Sequence, residues 1–371
     1  MAGIYIHIPF CRRKCHYCNF FSSASQKLKT PFLEALHQEI RQQAGYLEGQ
    51  TVGTIYFGGG TPSLLSSKEI EQILETVYNS FPVSEVPEIT LEANPDDLTE
   101  TYRTELSSTR INRLSLGVQS FFDEDLVNLN RVHTAAQALS SLVPRPSSLD
   151  LIYGIPGMTD DRWRANLETA IGNRIPHISA YALTVEEKTT LHWMIAKGKY
   201  PPVQEEQAAR QYRIMVEMLK AAGYVHYEIS NFCLPGHESK HNSNYWKGLP
   251  YLGVGPSAHS FNGTSRRWNV SNISNYANMI NDGSVVYEEE TLTLTQRYNE
   301  YVMTGLRTMW GCGEDYILQE FGPDYLEHFL KCAAVYIAAG SMGQGAGRYV
   351  LTDEGMLFAD GIAADFFMER G

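Results

Sequence analysis

Six short apolar, β-branched runs organise the first half of the chain, at 4–8, 52–57, 88–92, 112–116, 149–153 and 178–183, with helical patterns in the gaps between them. Strand followed by helix at roughly 30-residue spacing requires parallel strands joined by crossover helices. The runs are apolar nearly throughout, as strands covered on both faces must be. Between the first two, Leu33, Leu36, Ile40 and Ala44 recur at helical spacing, with Thr30 expected as N-cap and Pro31 in the first turn. Between the next two, Ser66-Ser67-Lys68-Glu69 reads as a capping box ahead of Ile70, Ile73, Leu74 and Val77. Six units are too few for the usual closed eight-stranded barrel. An open partial barrel and a doubly wound sheet both fit, so the fold class is α/β.

The pattern changes near residue 195. Residues 197–202 read as a linker, and 205–222 as a helix carrying Ile214, Met215, Met218 and Leu219. A polar stretch rich in glycine and aromatics covers 223–268. The remainder reads as helices plus one short strand at 349–351, in the style of a small helical or winged-helix module. The expected division is therefore 1–195 and 196–371.

Charge narrows the partners. Lys and Arg total 30 against 42 Asp and Glu, a formal net charge of −12. Nucleic acid or an anionic membrane surface as main partner would need a concentrated basic face, and Arg12-Arg13-Lys14 is too short to supply one. No apolar stretch approaches the ~18–20 residues that span a bilayer. The first ten residues lack a basic start and a cleavage site, and are expected to form a strand, not a signal peptide. The expected location is the cytoplasm.

There, Cys11, Cys15 and Cys18 favour metal or redox work over structural disulfides, while Cys233, Cys312 and Cys332 are scattered. The three clustered thiols follow the first strand directly. Zinc would need a fourth ligand, which His7 or His16 could supply; an inert loop is the plainest alternative. The Cys-x3-Cys-x2-Cys spacing favours an iron–sulfur cubane, in which three thiolates leave one iron of four open to a ligand.

Tyr5-Ile-His-Ile-Pro-Phe-Cys11-x3-Cys15-x2-Cys18 resembles the N-terminal signature of the radical S-adenosylmethionine (SAM) superfamily, and within it the branch of oxygen-independent coproporphyrinogen III oxidases and HemW-type haem chaperones. The resemblance returns in order at Tyr56-Phe-Gly-Gly-Gly-Thr-Pro62, Leu91-Glu-Ala-Asn-Pro95, Asn112-Arg-Leu-Ser-Leu-Gly-Val-Gln-Ser120, Asp150-Leu-Ile-Tyr-Gly-Ile-Pro156, His241-Asn-Ser-Asn-Tyr-Trp246 and Leu351-Thr-Asp-Glu-Gly355. It implies a partial (β/α)6 barrel followed by a smaller, mainly helical, winged-helix-like domain. It implies a [4Fe–4S] cluster on Cys11, Cys15 and Cys18, and SAM bound by the glycine-rich element (Gly59, Gly60, Thr61) together with Tyr5, Glu92, Gln119, Arg131 and Asp150. Read alone, the glycines are a turn that leaves its backbone unobstructed, and each polar residue a solvated charge or helix cap. Gly253-Val-Gly255-Pro-Ser-Ala only superficially resembles a dinucleotide fingerprint, because it opens no βαβ unit.

Two features separate the neighbours. The oxidases resemble Cys-x3-Cys-x2-Cys-x-Cys, whose fourth position is Phe20 here, and carry a long arm ahead of the cluster, where this chain has ten residues. The chaperones share both absences and carry His-Asn-x-x-Tyr-Trp, so the resemblance implies haem bound by His241, Tyr245 and Trp246. Neutral imidazole is a good axial ligand and aromatics suit a porphyrin face; in a polar loop alone, such a histidine would have a surface or hydrogen-bonding role. Cys233 is a weaker candidate for axial thiolate. The expected function is haem delivery to client haem proteins, with an electron donor as further partner. The rivals are an oxygen-independent coproporphyrinogen III dehydrogenase and a zinc-binding structural module. Two departures from the family pattern stand out. The span from His133 to Asp150 is short, with Pro144 and Pro146 expected to cut its helix, which puts the fifth βα unit at issue. Arg110 replaces a usual turn glycine, at a cost of roughly 1–2 kcal/mol if that site needs a left-handed backbone.

Overall fold

The computed structural model describes residues 1–142 and 147–369. Six parallel strands, β1 (Ala2–Ile8), β2 (Val52–Gly59), β3 (Val83–Ala93), β4 (Arg113–Gln119), β5 (Ser147–Tyr153) and β6 (His177–Ala182), lie side by side in chain order, joined by crossovers containing helices. This is the open partial barrel. Alternation along β1 shows what it positions: Ile4, Ile6 and Ile8 are buried in the core, while Tyr5 and His7 on the other face line a cavity.

The fifth unit forms. A six-residue helix, Ala135–Ser140, precedes β5, which pairs with both β4 and β6; Pro144 and Pro146 lie outside the described residues. Arg110 is not in the left-handed region. Its N–H donates to Glu71 Oε1 at 2.6 Å and its guanidinium lies 4.8 Å from the Tyr78 ring centre, so this turn requires no glycine. The Ser66–Glu69 capping box is present in both directions. Thr30 is not an N-cap, however: the helix spans Lys29–Gln42, because Lys29 is tethered to the Leu64 carbonyl and the Glu69 carboxylate.

The sheet does not end at residue 195. β7 (Val225–Glu228) and β8 (Asn231–Cys233) extend it antiparallel beyond β6. On the other side β9 (Tyr251–Val254) pairs parallel with β1, followed by antiparallel β10 (His259–Phe261), β11 (Ser265–Asn269) and β12 (Tyr287–Thr291). The 223–268 stretch therefore supplies β7 to β10 and most of β11, with the helix Lys240–Trp246 among them. The end of the chain packs helices around β13 (Cys312–Gly313), β14 (Met342–Gly345) and β15 (Arg348–Leu351), in the sheet order β13-β15-β14, a winged-helix arrangement. No helix among the described residues is long and apolar enough to cross a membrane.

One buried carboxylate ties the halves together. Glu39, on the first helix and 1% exposed, accepts from Tyr276 Oη at 2.6 Å, Gly255 N–H at 2.7 Å and Asn269 Nδ2 at 2.7 Å. Burial pushes its pKa up while these donors oppose the shift. Alanine there strands three donors, and urea unfolding should show a loss of about 3–5 kcal/mol. Gln, which keeps one acceptor oxygen, should lose less.

Candidate functional site

The cysteine loop leaves β1 and is pinned to three later segments. Cys11 N–H donates to Ser23 O at 3.0 Å and Ser23 N–H to Pro9 O at 2.8 Å, closing the loop on itself. Arg12 Nε meets Asp97 at 2.7 Å, Asn130 Nδ2 donates to Lys14 O at 2.9 Å, and Leu191 N–H to His16 O at 2.8 Å. All three thiols are free and line one cavity of about 480 Å³. Burial pushes the Cys18 thiol up to about 11, so binding a metal there must displace a proton. Arg131, half-buried beside the loop, donates to Cys15 Sγ at 3.4 Å, Asn94 Oδ1 at 2.6 Å and the Gly117 carbonyl at 2.5 Å.

The other wall of this cavity is built from the carboxyl ends of the strands, where parallel α/β folds collect ligands. Gly59 has φ +106°, and a Cβ there would sit 2.6 Å from the His7 ring. A Cβ on Gly60 would fall 2.6 Å from Phe10 O and 2.8 Å from Ile8 O, so the turn packs directly on the strand that delivers Cys11. Thr61 Oγ1 accepts from Asn94 Nδ2 at 3.3 Å. Glu92 accepts from Tyr56 Oη at 2.8 Å, and Asp150 from Ser115 Oγ at 3.2 Å. Gln119 holds φ +69° at the end of β4, a strained setting for a non-glycine. The cavity thus gathers the three cysteines with Gly59, Gly60, Thr61, Glu92, Gln119, Arg131 and Asp150. Asn94, which fixes both Thr61 and Arg131, went unassigned in sequence; its signal is the Asn-Pro directly after a strand. Tyr5 is placed differently: its ring lines a second cavity and stacks on Tyr56.

Burial pushes Glu92 up to about 7, with the charge of Asp150 adding and the Tyr56 hydrogen bond opposing. A carboxyl whose folded pKa is raised holds extra protons in the native state, so its stabilising contribution is complete below its ordinary value and is lost as pH rises through about 7. For the ligand-free protein, Glu92→Gln should therefore gain on the order of 1–3 kcal/mol relative to wild type between pH 5 and 8. Paired urea titrations at the two pH values check the sign.

The second cavity, about 1000 Å³, opens beside the first, and Phe20 lines both. Tyr245 and Trp246 form part of its wall. His241 does not line it. The helix Lys240–Trp246, capped by Ser239 and with its first N–H groups held by the Glu88 carboxylate, buries the His241 ring to 2% exposure. Nδ1 is 2.8 Å from Thr54 Oγ1, Nε2 is 2.8 Å from Tyr245 Oη, and the ring stacks on Tyr56 at 5.0 Å. Desolvation lowers its pKa to about 3, so the imidazole is neutral. Cys233 is fully buried in β8 and lines neither cavity.

Six parallel strands ending on a three-cysteine loop and a glycine-rich turn define the radical SAM class, and the radical SAM superfamily model matches residues 5–170. The fold is close to that of coproporphyrinogen III oxidase from Escherichia coli, with a TM-score of 0.84 over 99% of this chain and 90% of that one, at 22% identity. "Heme chaperone HemW" of Mycobacterium tuberculosis is 33% identical, over 97% of this chain and 93% of its own. That of Bacillus subtilis is 32% identical over the full length of both. The chain belongs to the HemW family of the radical SAM superfamily.

Proposed function

We propose that this chain is a haem chaperone, holding a [4Fe–4S] cluster on Cys11, Cys15 and Cys18, SAM in the adjoining part of the smaller cavity, and haem for delivery to haem proteins. The observation that carries the reading is the pairing of two cavities: one joins free thiols to the glycine-rich turn and half-buried carboxylates, the other is large, aromatic and adjacent. The residues present fit the cluster. The three thiols line one cavity, and among the described residues no three His, Cys, Asp or Glu converge on a single metal ion. A cubane, in which each of the three thiolates would bind a different iron, needs no such convergence, whereas a zinc ion does. His7, one candidate fourth ligand for zinc, has both ring nitrogens engaged, by Tyr5 Oη and Phe21 O.

When bound, the cluster supplies an electron to the sulfonium of SAM. The protein's own part is placement. The Gly59–Gly60 turn carries no side chains into the cavity, Glu92 and Asp150 line it from β3 and β5 and would meet a ligand there, and Arg131 sets a positive charge on Cys15. Residues 1–195 carry these sites, and 196–371 contribute Tyr245 and Trp246 with His241 behind them. Relatives named as haem chaperones align with the chain from end to end, and Phe20 occupies the place of a fourth cysteine, which argues against coproporphyrinogen III dehydrogenase activity. We place this activity in the cytoplasm, with an electron donor as a further partner.

Anaerobic reconstitution followed by haemin addition tests the reading. The expected result is about four irons and four sulfides per chain, one haem, and no conversion of coproporphyrinogen III under reducing conditions with SAM. Stoichiometric zinc without iron, or catalytic decarboxylation above a protein-free control, would overturn it.

A further inference from the structure

Two histidines line the larger cavity, and their circumstances differ. His7 is buried, with Nδ1 3.2 Å from Tyr5 Oη and Nε2 2.9 Å from Phe21 O. His259 is exposed, and neither of its ring nitrogens has a hydrogen-bond partner among the described residues. A neutral imidazole with an uncommitted lone pair is what an axial haem ligand requires. His241 lacks one, since Thr54 and Tyr245 engage both of its nitrogens.

The backbone around His259 is built to place it there. A Cβ on Gly253 would fall 2.0 Å from the His259 carbonyl oxygen, so only glycine lets β9 approach β10 this closely. Gly255 (φ +97°) and Ser257 (φ +65°) then turn the chain, and His259 pairs with Trp268 across β10 and β11. The glycine pair that fails as a dinucleotide fingerprint thus acts as a turn delivering a histidine to the cavity wall. Tyr245, Trp246 and Tyr251 line the same cavity, aromatic surfaces suited to a porphyrin, while Trp310, also in the wall, carries Lys247 Nζ 4.1 Å from its ring centre; the cavity is at the upper end of the ~300–1,000 Å³ usual for small-molecule sites. Arg297 and Arg348 also line it, and neither forms an ion pair with a carboxylate among the described residues, although the chain is acidic overall; Arg348 donates from Nη1 to the Trp310 carbonyl at 2.6 Å.

We propose that haem binds in this cavity with His259 as axial ligand and with Arg297 and Arg348 facing its two propionates. The proposal rests on the haem-chaperone reading and names its binding site. His241 is then a positioning residue: through Nε2 it holds the Tyr245 hydroxyl, and with it one aromatic wall.

Haemin titration of cluster-loaded protein, followed through the Soret band, tests this. Wild type should give a histidine-type band at about one haem per chain. His259→Ala should shift that band and weaken binding roughly tenfold or more, with added imidazole restoring the band and with iron, sulfide and unfolding midpoint unchanged. Arg297→Ala with Arg348→Ala should weaken binding without moving the band. A wild-type band and affinity in His259→Ala would overturn the ligand assignment while leaving the chaperone reading intact. Failure of wild type itself to take up haemin would overturn both.

Discussion

Alanine at Cys11, Cys15 or Cys18, singly, will reduce iron and sulfide after anaerobic reconstitution to near zero, while Cys312→Ala will load like wild type. Three thiolates are the full protein complement for a site-differentiated cubane, and removing one leaves a second iron without a protein ligand. None of the three is replaceable by a neighbour. Cys233 lies buried in β8 and Cys312 is buried in the C-terminal module, its Sγ facing the Tyr301 and Val302 carbonyls. Cys11 itself is 8% exposed at the end of β1, and its backbone N–H is bonded to Ser23 whatever the side chain. The fold of the unloaded protein should therefore survive, with circular dichroism unchanged. Retention of a full complement of iron in any of the three variants would contradict the ligand assignment.

Gly60→Ala will cost both SAM affinity and stability. The added Cβ would lie 2.6 Å from Phe10 O, 2.8 Å from Ile8 O and 2.9 Å from Phe10 N, all backbone atoms that no rotamer can move aside. The same backbones are joined by Gly60 N–H to Ile8 O at 2.8 Å and Thr61 N–H to Phe10 O at 2.7 Å. Relief must lift the glycine-rich turn off β1, displacing one wall of the smaller cavity and the residue before Cys11. We expect a stability loss of about 2–4 kcal/mol and at least a hundredfold weaker SAM binding, roughly 3 kcal/mol. Calorimetry on cluster-loaded protein measures the second. Gly45→Ala is the control, since no atom lies within 4 Å of its Cβ position and its backbone is not left-handed. Wild-type SAM affinity in Gly60→Ala would show that this turn does not hold the ligand.

Much of the barrel is legible in sequence because its determinants are local. A strand buried on both faces must be apolar along its length, and a crossover helix must carry one apolar stripe; these periodicities mark the six strands and the first two crossover helices, whereas the unit at β5, preceded by a helix of only six residues, is decided by the pairing of β5 with β4 and β6. The capping box at Ser66 and the three-cysteine loop are local for the same reason. Local reading fails where the partner lies far away in the chain. Thr30 looks like an N-cap until Lys29 finds Glu69 forty residues on. Arg110 looks strained until Glu71 and Tyr78 are seen beside it.

For the site, the sequence by itself determined the thiols, their spacing and the order of the strand-end residues that share their cavity, because successive parallel strands bring their carboxyl ends to one side whatever else the chain does. Only the tertiary structure decided the aromatic cavity. It exists because β9 pairs with β1 across some 250 residues, setting Tyr251 and His259 on the wall shared with Tyr5 and His7. The same folding buries His241 between Thr54 and Tyr245, 187 residues apart from the first and four from the second. Which histidine keeps a free lone pair depends on what is packed against it, and packing between segments this distant leaves no period or spacing in the sequence.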